Sequence, residues 1–157
     1  MTANRLYFMQ HGLAMDKTEN PDRPLTEDGF KQTRNVAKQL LLSGIAISTI
    51  FHSGKLRAQQ TAEIIAATLN IKSLSAADYL SPNDETALVI QQLNADRALY
   101  VGHLPQLEKL VSVLVTGNEE ADIIQFQNSS VICLQKGHDL YRILWYLTPQ
   151  LSTFHHP

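Results

Sequence analysis

The chain has 157 residues, of which 44% are hydrophobic and 18% charged, and its formal net charge is -2. This is the make-up of a globular protein with enough chain to bury a core, and it lacks the basic excess that nucleic-acid binding requires. Cys133 is the single cysteine, which excludes a disulfide framework, and no apolar run approaches the ~20 residues needed to cross a bilayer. One domain over residues 1–157 is therefore expected: monomeric, cytoplasmic, without a secretory leader and without nucleic-acid or membrane partners.

Short β-rich runs alternate with longer helical periodicities. "RLYFM" at 5–9 is an apolar and aromatic run that leads through Gln10 into His11-Gly12. Thr26 is placed to cap a helix reaching about residue 42, with Val36, Leu40 and Leu41 on one face and Gly44 ending it. "STIFH" at 48–52 is a second strand run, ending at Ser53-Gly54, and a second helix over 55–69 is expected to bury Leu56, Ile64, Ile65 and Leu69. A shorter third helix covers 85–93. "RALYV" at 97–101 is a third strand run ending at Gly102-His103, and Pro105 opens a fourth helix through Leu107, Leu110, Val111 and Leu114 to Gly117. "SVICLQ" and "DLYRILWYL" then form a hairpin across Lys136-Gly137-His138. Phe8, Leu56, Val111 and Trp145 read as core.

This alternation predicts an α/β sandwich whose central sheet is mainly parallel with an antiparallel edge. In such sheets ligands bind beyond the carboxyl ends of the strands, where helix N-termini present unpaired N–H groups. His11, Ser53 with Arg57, and His103 each follow a predicted strand at that end. An imidazole can attack phosphorus while a guanidinium neutralises the phosphoryl oxygens, so the set points to phosphoryl chemistry. The remaining histidines read as structural or peripheral: His52 lies inside a strand run, His138 in a turn, and His155 and His156 in the terminal tail. None has metal-ligand spacing, and Cys133 has no adjacent base.

Four segments in order carry a resemblance: "QHGLA" at 10–14, "RPLTEDG" at 23–29, "HSGKLRAQQTA" at 52–62 and "VGHLP" at 101–105. Together they resemble the histidine phosphatase (phosphoglycerate mutase-like) superfamily, and the short chain is most similar to its small bacterial phosphohistidine phosphatases. The resemblance implies a three-layer α/β/α fold and a reaction that uses no metal or organic cofactor. It implies that His11 accepts the phosphoryl group, that Arg57 clamps it, and that His103 is the second histidine of the pocket. Gln10 and the backbone N–H of Leu104, at the opening of its helix, complete the implied phosphate-binding set. The implied function is a phosphatase of signal transduction: neutral His11 attacks phosphohistidine on a protein phosphotransfer domain, and water then hydrolyses phospho-His11. Glu85 is the candidate proton donor, with Asp84 and Asp78 beside it. A leaving imidazole needs that donor less than an alkoxide does, which favours phosphohistidine over a small phosphorylated molecule.

Two positions depart from the family pattern. Gly54 stands where relatives usually carry proline, and Gln10 stands where they carry arginine. Arginine brings a permanent planar charge and glutamine one neutral amide. Exchanging charge-assisted bonds of ~1.5–3 kcal/mol for neutral ones of ~0.5–1.5 kcal/mol implies a rate loss on the order of 10–1,000-fold if nothing compensates. It also lets the pKa of His11 rise relative to an arginine-bearing relative. Lys17, Arg23 and Lys55 are the cations available to compensate. The alternative readings are a catalytically weakened phosphate- or phosphoprotein-binding module and a small-molecule phosphomonoesterase.

Overall fold

Side chains alternate across the strands, and that alternation divides the apolar residues between two faces of one sheet. The computed structural model describes residues 3–152. In chain order the elements are β1 (Arg5–Gln10), α1 (Glu27–Leu42), β2 (Thr49–His52), α2 (Leu56–Leu69), β3 (Leu74–Ala76), α3 (Thr86–Ile90), β4 (Ala98–Gly102), α4 (Gln106–Thr116), β5 (Val131–Lys136) and β6 (Tyr141–Leu147), followed by a 3-10 turn at Pro149–Ser152. The strand order is β3-β2-β4-β1-β5-β6. β3, β2, β4 and β1 run parallel, β5 is antiparallel to β1, and β6 is antiparallel to β5.

Leu6, Phe8, Tyr100 and Ile132 face one side, where Leu107, Leu110 and Val111 of α4 and Val89 of α3 cover them. Tyr7, Met9, Leu99 and Val101 face the other, under Val36, Ala37 and Leu40 of α1 and Ala58, Ala62 and Ile65 of α2. The result is the expected three-layer α/β/α sandwich, mainly parallel with an antiparallel edge.

The start of α1 is fixed by chemistry that also shapes the site. Thr26 accepts a hydrogen bond from Gly29 N at 2.9 Å, and Glu27 and Asp28 complement the positive end of the helix dipole. A Cβ on Gly29 would stand 2.1 Å from the carbonyl oxygen of Leu13, so only glycine lets this turn press against the segment that follows His11.

Several sequence expectations are corrected. α2 buries Ala58, Thr61, Ala62, Ile65 and Ala66, while Leu56, Ile64 and Leu69 are half-buried. Small residues face the sheet because the helix lies close to it, and the larger ones flank that contact. Leu41 is 51% exposed, since the buried face of α1 is Thr33, Val36, Ala37 and Leu40. Trp145 is half-buried on the edge strand β6, which pairs on one side alone. α3 stops at Ile90, and Pro105 precedes α4 as its cap rather than as its first residue. Cys133 is buried, and burial pushes its thiol up to about 11, away from any nucleophilic role. His155 and His156 lie outside the described residues.

Candidate active site

The three central parallel strands end side by side and deliver the site. Gln10 pairs with Gly102 in register, and the ladder continues past the strand ends: His11 N donates to Gly102 O at 3.1 Å and Ser53 N to Val101 O at 3.2 Å. His11, Ser53 and His103 thus emerge from adjacent strands at one rim. The rings of His11 and His103 lie 4.9 Å apart, tilted by 49°. Both are buried, at 8% and 2% exposure.

The ring of His11 is oriented by its own backbone. Its Nδ1 donates to the carbonyl of Gly12 at 2.7 Å, which places the ring proton on Nδ1 and leaves the Nε2 lone pair free. Burial lowers its pKa to about 4, with Arg57 and Arg23 pushing the same way against the Gly12 bond. The ring is therefore neutral near pH 7. Gly12 has to be glycine here, because a Cβ would fall 2.7 Å from Thr33 Oγ1. Gly12 N donates to Thr61 Oγ1 at 2.9 Å, and that hydroxyl donates to Arg57 O at 2.7 Å. Thr61 thereby ties the segment after His11 to the first turn of the Arg57 helix.

His103 is pushed down to about 3, by burial first and then by His11, Arg57, Lys55 and Arg23. Arg57 is itself lowered by burial and by Arg23, and its Nε has no hydrogen-bond partner among the described residues. Arg57 and Arg23 thus act on both imidazoles and Lys55 on His103 alone, whereas the exposed Lys17 acts on neither. Arg23 adopts a left-handed backbone at φ 50°, and its Nε donates to Met15 O at 3.1 Å. The loop that carries it is pinned by Leu25 N donating to Gln60 Oε1 at 2.8 Å and by Met15 N donating to Pro24 O at 2.8 Å. Gln10 is half-buried, and its Oε1 has no partner among the described residues.

Other predicted residues are placed differently. Leu104 lies in the turn between His103 and the cap Pro105, so its N–H precedes α4 rather than opening its first turn. Glu85 is exposed and lines a cavity of about 360 Å³ with Asp84, Gln106, Lys109 and Glu119, to which His11, Arg57 and His103 do not contribute. Asp84 accepts from Ser81 N at 2.8 Å, and Asp78 lines another hollow beside Phe51 and Tyr79. None of these carboxylates is among the charges acting on either histidine. Sequence reading did not single out Thr61; its signal is the position one helical turn after Arg57, where a threonine hydroxyl reaches back to a carbonyl.

A neutral imidazole with a free lone pair, a second imidazole beside it and a group of cations around both are equipped for phosphoryl transfer. Residues 6–80 match the histidine phosphatase superfamily (branch 1). The chain is 31% identical over 141 residues to an uncharacterised protein of Picosynechococcus, covering 84% of this chain and 85% of that one. It is 28% identical over 153 residues to the phosphohistidine phosphatase SixA of Escherichia coli, covering 92% and 94% of the two chains. The structure of the protein histidine phosphatase SixA complexed with tungstate matches with a TM-score of 0.81 at 28% identity, over 93% of this chain and 97% of that one. The chain belongs to the histidine phosphatase superfamily and is a hydrolase of that superfamily.

Proposed function

We propose that this hydrolase acts on phosphohistidine of a protein phosphotransfer domain in signal transduction, through a phospho-His11 intermediate. The observation that carries the reading is His11 itself: neutral, with its proton held on Nδ1 by Gly12 O and its Nε2 free beside His103. The Nε2 lone pair attacks phosphorus in line while the substrate's P–N bond breaks, and the departing imidazole takes a proton from water. Water then attacks phospho-His11, releasing inorganic phosphate and returning neutral His11. Arg57, together with Arg23 and Lys55, balances the charge on the phosphoryl oxygens throughout.

The choice of phosphohistidine is supported by the name of the E. coli relative and by the electrostatics, in which no carboxylate is among the charges acting on the two imidazoles. An imidazole leaves without a dedicated acid, whereas an alkoxide benefits from one. Assaying the purified chain against a phosphohistidine protein and against small phosphoesters tests this. Faster turnover of the phosphohistidine protein is expected. Preference for the small esters would overturn the substrate assignment, and no turnover by a well-folded chain would overturn the activity.

Gln10 favours the second reading, a weakened binding module, because an amide replaces a cation next to the nucleophile. Under that reading Gln10→Arg restores turnover sharply. Under the phosphatase reading Arg23 and Lys55 already supply charge, and the gain is small.

A further inference from the structure

Gln106 is a polar residue at the first position of α4, yet only 1% of it is exposed. Its amide nitrogen donates to Tyr79 O at 3.1 Å and to Asp84 O at 3.5 Å, which holds the amide between α4 and the segment before α3. Its Oε1 is buried without a donor among the described residues. An acceptor taken out of water and left unpaired costs free energy, so native folds seldom keep one without a use. Gln106 lines the cavity of about 360 Å³ that also takes Glu85, a volume in the range of ligand pockets.

The charges around that cavity define what would pair with the orphaned oxygen. Asp84, Glu85 and Glu119 bring three negative charges to its lining against one positive charge from Lys109. Among the described residues no ion pair ties Lys109 to any of them, and no three His, Cys, Asp or Glu side chains converge to hold a metal ion. A negative surplus around a buried carbonyl oxygen suits an organic cation with several N–H donors. The cavity also adjoins the reacting centre. Its wall includes Pro105, two residues after His103, so the two Cα atoms are at most about 7 Å apart.

We propose that this cavity is a docking subsite for a basic side chain, arginine or lysine, that the phosphoprotein substrate presents close to its phosphohistidine. The proposal rests on the phosphatase reading of the rim and names what the partner offers besides the phosphoryl group. The N–H groups of the cation donate to Gln106 Oε1 and to the Glu85 and Glu119 carboxylates. The cationic rim and the acidic cavity then read an anionic phosphoryl group beside a positive side chain, and they disfavour a partner with the reverse arrangement.

Titration of the full chain with synthetic peptides tests this. Each peptide carries phosphoryltriazolylalanine, a non-hydrolysable phosphohistidine analogue, with arginine or neutral glutamine at each other position in turn. At the best position arginine is expected to bind about tenfold more tightly than glutamine. Glu85→Gln combined with Glu119→Gln, both exposed and so tolerated by the fold, should bring that ratio close to one. Lys109→Ala removes the competing cation and should raise it. Equal affinity for arginine and glutamine at every position, or a ratio that survives the double substitution, would overturn the proposal. So would arginine amide filling the cavity with no preference among the peptides, since the occupant would then be a free cation. Turnover of the matching phosphohistidine peptides separates the two readings. An arginine preference in binding with no hydrolysis of any peptide sinks the phosphatase reading and leaves the subsite standing, whereas hydrolysis without any preference does the reverse.

Discussion

The ends of β1 and β2 carry the same local device. His11 Nδ1 donates to the carbonyl of the next residue at 2.7 Å, and His52 Nδ1 does the same at 2.6 Å. Both rings are buried, at 8% and 6% exposure. Yet His52 is the last residue of its strand, paired in register with Val101 and Ala76, whereas His11 is the first residue beyond its strand. That single step turns His11 toward His103 and the arginines and leaves His52 inside the sheet. A carbonyl-anchored imidazole is therefore a backbone arrangement, and under the proposed function its neighbours decide whether it serves as the nucleophile.

The largest test of this contrast exchanges each ring for an amide. His11→Asn is expected to lose turnover by on the order of 10⁴-fold or more and to form no phosphoenzyme. His52→Asn should still form it, as measured by acid-quenched radiolabel transfer, and its failure to do so in a folded protein would erase the distinction.

Next in size is Arg57→Gln, expected to lower kcat/KM by about 10²–10³-fold. The same variant tests the electrostatics with a defined sign. The His11 pKa lies at about 4, so kcat/KM for the free enzyme should fall as pH drops through that value. Removing the Arg57 cation eases protonation and moves the acid limb upward. It stays below the ordinary histidine value, because burial is the larger cause. A limb that moves down, or stays fixed, contradicts the assignment.

Thr61→Val addresses the tie between the two strand ends. It leaves Gly12 N–H buried without its acceptor, at an expected cost of about 1–3 kcal/mol in urea unfolding. The smallest effect is expected from Gln10→Arg: turnover rising by less than about tenfold, since a factor of ten corresponds to the removal of only about 1.4 kcal/mol from the barrier. A much larger rise would mean that Arg23 and Lys55 do not substitute for the missing charge.

The strands that build the rim were legible because each is an apolar run stopped by a glycine step: Gln10-His11-Gly12, Ser53-Gly54 and Gly102-His103. β3 was not, since three residues on the sheet edge with two of them exposed leave no periodic trace. The inner face of α2 misled in another way. Large residues suggest burial, but the sheet is met by Ala58, Ala62 and Ala66, where close approach matters more than side-chain volume. Arg23 was legible as one of three cations able to reach the pocket, but not which of the three acts on His11, because its place depends on a left-handed turn and a loop clasped by Gln60. Thr61 and Ser53 find their partners 49 and 50 residues away, a distance that no local pattern encodes. Glu85 illustrates the converse: an acidic residue in the expected segment is carried by α3 to a different cavity.

β1 and β4 are adjacent parallel strands with Gln10 opposite Gly102, so the residues that follow them start one inter-strand spacing apart, about 4.8 Å. The two imidazole rings finish 4.9 Å from each other. Their starting points are set by the backbone ladder, and hydrogen bonds of the rings with Gly12 O and Ser53 Oγ hold their orientations. Surface drift, loop insertions, even glutamine in place of arginine before His11 leave those starting points unchanged, whereas one extra residue bulged into either strand would shift them. The width of the site is inherited from the sheet, and its chemistry is what substitution is free to tune.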